Sequence, residues 1–312
     1  MLAYIGRRFG SLLITMLFVS IILFTLMHSV PGGPFELKFE KQPLPEYALE
    51  NIKRKYGLDR PIYEQYGRWL WAVVHGDFGI PFESPTETVT SLIARAWPVT
   101  LRVGIFTLAF AYFFGLLFGI IAAVKQNTWI DNVVTFIATL GIVLPNFVIG
   151  FILIEIFAVQ LHWLPTGGFG SPEQLLMPVL AYALGPMAGI ARYVRTSMLE
   201  VFRSEYVTMA RARGLPETRV ILRYVLRTAL IPLITILGPQ IPDILTGSIF
   251  IEATFAIPGL GAYFTSATTT RDYPLILALA LIVGIFWGVT YLLSDIAYTL
   301  VDPRVRLEAV RR

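Results

Sequence analysis

The chain has 312 residues, of which 55% are hydrophobic and only 15% charged, against about 25% charged in an average soluble domain, and its mean hydropathy is +0.66. With no cysteine, and with histidines only at 28, 75 and 162, it excludes a disulfide framework, thiolate chemistry and a Cys- or His-based metal cluster. The formal net charge of +4 raises nucleic acid as a partner, a reading that the placement of the basic residues along the chain decides against.

A bilayer core about 30 Å thick is crossed by roughly 20 apolar residues in a helix. The first uncharged run, residues 9–35, follows Arg7 and Arg8 and has no small-x-small cleavage site before Pro31. It reads as an uncleaved anchor rather than a signal peptide. Residues 1–8 are then a short N-terminus and 9–30 the first transmembrane helix. Residues 31–97 are polar enough to lie outside the bilayer as a helical loop. Within it, Gly57 followed by Asp59 and Pro61 marks one short helix ending and another starting. Tyr63, Tyr66, Trp69, Leu70 and Trp71 suit a headgroup interface. The loop reads as a small helical cap, with a docking surface for a partner as the functional alternative.

Residues 98–302 hold the remaining uncharged runs: 103–124, 132–154, 174–191, 228–251 interrupted by Asp243, and 273–294. The expectation is an all-α polytopic membrane protein with six transmembrane helices. Pro145, Pro178, Pro186, Pro232, Pro239 and Pro242 are tolerable inside such helices, where neighbours satisfy the freed backbone groups. Four charges fall in or near spans: Arg102, Glu155, Asp243 and Asp295. Charges at membrane depth are functional candidates by default; the alternative, that they sit at span ends and pair or snorkel, fits Glu155 and Asp295 better than mid-run Asp243. Glu252 opens the stretch EATFAIPGLG, whose Pro258 and Gly259 favour a bent, re-entrant or gate-like element. Glu155, Asp243, Glu252, Pro258 and Gly259 are the candidates for a pathway or gate.

Orientation follows the Lys and Arg content of short loops. With the N-terminus inside, the inner side holds Arg7, Arg8, Lys125, eight Arg between 192 and 227 and four Arg between 304 and 312. The short outer loops hold none over 159–173 and only Arg271 over 252–272. Both termini, including 303–312, are therefore expected in the cytoplasm and the 31–97 loop outside. The basic excess is membrane topology and not a nucleic-acid footprint.

The largest inner segment reads SEYVTMARARGLPETRVILRYVLRTALIP over 204–232. Gly214 has the character of a residue just past a helix C-terminus. Pro216 and Glu217 suit the first turn of a following helix. The segment, counted as 196–228, is thus a helix, a sharp turn and a second helix at the cytoplasmic surface. Ala210, Ala212 and Gly214 would let another surface approach closely. An ordinary loop anchored by Arg to anionic lipid is the plainer reading, but connections are usually a few residues long.

Tyr206, Val207, Ala210, Arg211, Ala212, Arg213, Gly214 and Leu215, followed by Arg227, Ala229, Leu230 and Pro232, resemble the cytoplasmic signature loop of ABC-transporter permease subunits of the dipeptide/oligopeptide (peptide/nickel) importer family. YGLDRPIYEQYGRWL (56–70), GDFG (76–79), LPTGG (164–168), EATFAIPGLG (252–261), RDYPL (271–275) and DPRVR (302–306) stand in the order this family has, so the resemblance covers essentially the whole chain. Thr208, Met209 and Arg227 depart from the Glu, Ala and Pro of the wider importer pattern, which favours the peptide-type branch. Ile80-Pro81-Phe82 replaces a small polar continuation after GDFG.

The resemblance implies a permease moving di- or oligopeptides into the cytoplasm by alternating access. Tyr206, Ala210, Arg211, Ala212, Arg213, Gly214 and Leu215 would then couple to a cytoplasmic ATPase. The partners it implies are a second homologous permease, two ATPase subunits carrying ATP and Mg, and an extracytoplasmic substrate-binding protein, all at a bacterial or archaeal cytoplasmic membrane. The chain itself has no Gly-x-x-x-x-Gly-Lys-Ser/Thr loop, so it is expected to bind no nucleotide that way and to be no enzyme. Two rival classes are weaker. An intramembrane aspartyl protease using Asp243 and Asp295 lacks flanking Gly-rich motifs. A secondary transporter using Glu155 and Asp243 would be expected to show internal repeats. Dipeptides, longer peptides, nickel chelates and some glycosides all remain open as cargo.

Overall fold

A computed structural model describes residues 2–30, 33–35 and 45–301, apart from the side chains of 2–5, 231–232, 234–237 and 294–301. The described residues form helices and connections without a strand. Helix α1 (Leu2–Ser29) is apolar and largely exposed, as a lipid-facing helix should be. Two short helices, α2 (Glu46–Lys55) and α3 (Ile62–Val74), form the cap after α1. Gly57, at φ +69°, ends α2 as its sequence position predicts: its N–H donates to Arg54 O and that of Leu58 to Lys53 O. The cap aromatics divide. Tyr63 and Trp71 are exposed as expected of interface residues. Tyr66 and Trp69 instead pack on Phe24 of α1, and Tyr66 hydrogen-bonds Ser20 at 2.9 Å.

Helix α4 (Val89–Val124) is 36 residues long. It starts well before the expected span at 103 and runs through the 97/98 boundary. Thr88 caps it by accepting from Ser91 N–H, and Pro98 is accommodated inside it. The uncharged run 132–154 is not one straight span. It forms α5 (Trp129–Val143) and α6 (Asn146–Leu153, continued by a π-helical turn Ile154–Gln160), bent 109° apart. The break is at Leu144, driven to extended backbone (ψ 127°) by the following Pro145. Pro145 is therefore a helix breaker here and not merely a tolerated proline.

Helix α7 (Glu173–Phe202) is the central element. Small residues bring the others onto it: a Cβ on Gly115 or Gly119 of α4 would strike Met187 O, Ile190, Ala191 O or Val194, and one on Gly141 of α5 would strike Leu184 O. Close backbone approach is how helices associate in a bilayer, where lipid is as apolar as the side chains.

After α7 come α8 (Glu205–Ala212) and α9 (Glu217–Val220), which continues through a π-helical turn (Ile221–Val225) into α10 (Leu226–Ala229). The run 228–251 is also interrupted. Helix α11 (Ile231–Leu245) stops at Thr246–Gly247, where Gly247 takes φ +85°, and a separate short α12 (Ile249–Thr254) follows. Then come α13 (Leu260–Thr270) and α14 (Tyr273–Val301). Four helices (α1, α4, α7, α14) are long and apolar enough to cross a membrane, or five spans if the α5–α6 pair counts as one. At 15 residues, α11 is shorter than a full span, so six full-length spans are not seen among the described residues.

Candidate functional site

The helix–turn–helix of the 204–232 segment, an elbow, is built by the turn that its sequence dictates. Gly214 sits at φ +75°, its N–H donates to Arg211 O (2.9 Å), and Leu215 N–H reaches back to Ala210 O (3.4 Å). This pair of bonds satisfies the last carbonyls of α8, and the left-handed residue between them is best a glycine. Pro216 then precedes Glu217, the first residue of α9. Across the turn, the Arg211 guanidinium clasps the Glu217 carboxylate, Nη2 to Oε1 at 2.6 Å and Nε to Oε2 at 3.1 Å, and stacks over Phe202. This hydrogen-bonded guanidinium holds the Glu217 carboxyl below the usual carboxylate range.

The two faces of the elbow differ. Val207, Ala210, Val220, Val225 and Ala229 are buried with Ile190, Val194 and Met198 of α7 and Ala123 of α4. Ala210, expected on the exposed side, is 3% exposed and belongs to this interior. It cannot offer a landing surface, because helical phase turns it toward α7. Ala212, Arg213 and Gly214 are exposed as expected, with Leu215 half-buried beneath them. The outer face also carries Tyr206, Met209 and Leu222, all large and exposed. Leu222 was not singled out from the sequence, and Met209 only as a departure from the family pattern, although the three-residue offset of Met209 from Tyr206 places both on one helix face.

The second site surrounds Glu252. Glu252, 1% exposed, is wholly enclosed. Its Oε1 accepts from the Thr100 hydroxyl (2.7 Å), and its Oε2 from the N–H groups of Gly261 (2.7 Å) and Ala262 (3.3 Å). Thr100 Oγ1 in turn accepts from Leu260 N–H (2.8 Å). The first three N–H groups of α13 are thus satisfied by Glu252 and Thr100, since the capping residue Gly259 has no side chain to do it. A Cβ at Gly259 would lie 2.5 Å from the Glu252 carboxylate, so glycine is required to leave that space. Glu252, Pro258 and Gly259 were expected in a bent pathway or gate-like element; the Glu252 side chain is a buried cap that fixes the bend, and Gly259 is part of its cradle. Pro258 is exposed at the bend. The LPTGG motif docks on the same bend, Gly168 N–H donating to Phe255 O at 2.7 Å, and a Cβ on Gly167 would clash with that carbonyl.

The other charges are scattered. Asp243 is exposed on α11, its carboxylate without a partner among the described residues, while its backbone carbonyl accepts from the Tyr182 hydroxyl at 3.0 Å. Glu155 is exposed on the π-helical turn and bonded by Gln160 at 3.2 Å. Arg102 lies over the Phe169 ring. The Asp295 side chain and the DPRVR segment lie outside the described residues. Among the described residues, the Glu155, Asp243 and Glu252 side chains share no hydrogen bond.

Two buried acids were missed. Asp131, 2% exposed, is clasped by Arg195. Asp272, 1% exposed in RDYPL, accepts from Glu83 N–H (3.0 Å) and Leu275 N–H (3.3 Å), so it ties the GDFG loop to the start of α14. Burial pushes the Asp272 carboxyl up, against the backbone N–H groups that pull it down. Both pairings join residues far apart in sequence, and only the Asp in RDYPL had a motif to mark it.

A protein-family model described as the binding-protein-dependent transport system inner membrane component matches residues 115–307, and one for the N-terminal part of such membrane components matches residues 1–104. Curated relatives include the dipeptide transport system permease protein DppB of Bacillus subtilis, 38% identical over 98% of this chain and 99% of that one. The oligopeptide transport system permease protein OppB of Escherichia coli K12 is 39% identical over 98% of this chain and 100% of that one. Among solved structures, a chain of the inward-facing MetNI methionine ABC transporter superposes with a TM-score of 0.54 at 18% identity, covering 68% of this chain and 96% of its own. A chain of an amino acid ABC transporter gives 0.51 at 18%, covering 66% and 92%; at such identities the likeness is one of fold. The chain belongs to the family of binding-protein-dependent transport system inner membrane components, as an ABC-importer permease subunit and not an enzyme.

Proposed function

We propose that this permease imports di- or oligopeptides from an extracytoplasmic binding protein, and that its elbow docks in a groove of a cytoplasmic ATPase. The cargo reading rests on the relatives named for dipeptide and oligopeptide transport. The coupling reading rests on one observation: the elbow's inner face is packed on α7, while Tyr206, Met209 and Leu222 are large, apolar and exposed. Large apolar groups gathered on an exposed face mark an interaction surface. ATP and Mg belong to two such ATPase subunits. A second, related permease completes the membrane core, each permease contributing six spans, with α11 extended by neighbouring segments as the sixth. Both termini and the elbow are cytoplasmic, and the α2–α3 cap faces the binding protein. Asp243, exposed and unpartnered, faces the aqueous pathway between the two permeases.

The test is reconstitution in liposomes of this permease with its partner permease, ATPases and binding protein, followed by uptake of labelled dipeptides and longer peptides. Uptake that requires both ATP and binding protein is the expected result. Peptide accumulation driven by an ion gradient without the ATPases would overturn the reading.

A further inference from the structure

Helix α5 buries few of its own side chains. Of its 15 residues, Asp131, Ala138 and Gly141 are buried, whereas Val133, Phe136, Ile137, Leu140 and Val143 are exposed. Ala138 and Gly141 supply close packing onto α7, but such packing carries no hydrogen-bonded direction. Among the described residues, the directional attachment from α5 to α7 is a single pair. Arg195 donates through Nε to Asp131 Oδ1 (2.6 Å) and through Nη2 to Oδ2 (2.8 Å). Asp131 is held ready for it by Asn127 N–H (2.9 Å) and the Thr135 hydroxyl (3.4 Å). A bidentate guanidinium–carboxylate pair is both strong and fixed in orientation.

On the α7 side the same turn is locked to the elbow. Val194 and Met198 are buried against Val207, Ala210 and Val220, and the Ser197 hydroxyl donates to Ala229 O (3.0 Å) at the elbow's far end. On the α5 side the chain leads through the bend at Leu144–Pro145 into α6, where a Cβ on Gly150 would meet the Phe255 ring of the bent element at 3.1 Å.

We propose that the Asp131–Arg195 pair is the strap that carries elbow displacement into α5 and on to the outer bend, and that it stays closed through the transport cycle. Asp131 and Arg195 are positioning residues; neither touches cargo or nucleotide. The inference rests on the reading of the elbow as the ATPase contact.

The chain has no cysteine, so Asp131→Cys together with Arg195→Cys creates a pair that a short bifunctional thiol reagent can bridge in the reconstituted complex. Without the reagent, the double variant is expected to co-purify with the ATPase and hydrolyse ATP, while peptide moved per ATP falls about tenfold, within the usual range of coupling between sites. Bridging should restore most of it, which a merely structural loss would not predict. Arg195→Lys, which keeps the charge but loses the fork, should fall between wild type and the unbridged variant, and it gives the answer if the double variant fails to assemble. Wild-type transport per ATP in the unbridged variant or in Arg195→Lys would overturn the strap, as would a bridged complex that stays uncoupled. If the wild-type permease itself fails to retain the ATPase, the elbow reading falls and the strap with it.

Discussion

Thr100 and Glu252, 152 positions apart, share one hydrogen bond of 2.7 Å, and through it a helix is capped from outside its own chain segment. Glu252 takes two N–H groups of α13 and Thr100 takes the third. The arrangement ties α4, α12 and α13 at one buried point.

The first prediction concerns this point. In Glu252→Gln the new amide nitrogen must face either the Thr100 hydroxyl or the N–H groups of Gly261 and Ala262. A buried donor left without an acceptor costs about 1–3 kcal/mol. Thermal stability of the purified complex should fall accordingly, and Thr100→Val should fall by a similar amount. Because the two sites share a bond, the double variant should lose less than the sum of the singles. Strict additivity would show that the cap is not one unit.

Gly259→Ala tests the cradle from the other side. Its Cβ would be forced to 2.5 Å from the Glu252 carboxylate, and overpacking of this kind costs about 1–3 kcal/mol. Combining it with Glu252→Ala should relieve the clash. If Gly259→Ala is as stable as wild type, the carboxylate does not occupy that space.

The elbow clasp predicts a pH dependence. Arg211 depresses the Glu217 carboxyl in the folded state. Its stabilisation is therefore fully present above the unfolded value, about 4.3, and is lost as pH falls through the folded value below that. Asp272 has the opposite sign: its raised carboxyl gives a contribution that is greatest at low pH and declines as pH rises through the folded value. A spin label at Ala212→Cys should report an unchanged elbow from neutral pH to about 5 and loosening only below about 4.3. Loosening near neutrality would contradict the clasp.

Orientation can be checked with the same cysteine-free background. A cysteine at Thr86, exposed between the cap and α4, should react with an impermeant reagent from outside, and one at Ala212 only after permeabilisation. Labelling of Ala212→Cys from outside would invert the topology.

The sequence made some of this legible because certain positions admit few residues. Gly214 and Gly57 could be read as helix ends, since each precedes an uncapped turn that needs positive φ. The elbow followed from Gly214 and Pro216 together. Composition also settled the membrane class, because long uncharged runs have few other uses. What stayed hidden depends on contacts across the fold. Leu144–Pro145 breaks a run that contains no charge, so hydropathy could not reveal the 109° bend. Glu252 looked like a pathway charge because its three donors come from Thr100 and from residues beyond the bend. The same holds for Asp131, whose partner Arg195 lay in a segment where every Arg looked alike.

The last prediction separates the two faces of the elbow. Ala210 and Ala212 are two residues apart, yet Ala210 is buried against α7 and Ala212 is exposed. Ala210→Glu would place a carboxylate among the buried Val207, Val220 and Met198. Expression and membrane insertion of the chain should fall. Ala212→Glu should leave folding and pairing with the partner permease intact, because that position is exposed. If an ATPase groove receives the elbow, the new charge is desolvated there without a partner, at about 2–5 kcal/mol. Co-purification of the ATPase and peptide-stimulated hydrolysis should then drop severely. Gly214→Val should give the same loss by another route: it has no neighbour within 4 Å to clash with, but its φ of +75° is poorly tolerated by a β-branched residue, so α9 would be misdirected. Gly214→Ala should fall between, since it strains the turn without the branch. The control is Ala48→Glu in the outer cap, expected to leave hydrolysis unchanged. The measurements are ATPase retention on the purified permease pair and hydrolysis in liposomes with and without binding protein. Wild-type values in both Ala212→Glu and Gly214→Val would reduce the elbow to a lipid-facing connection.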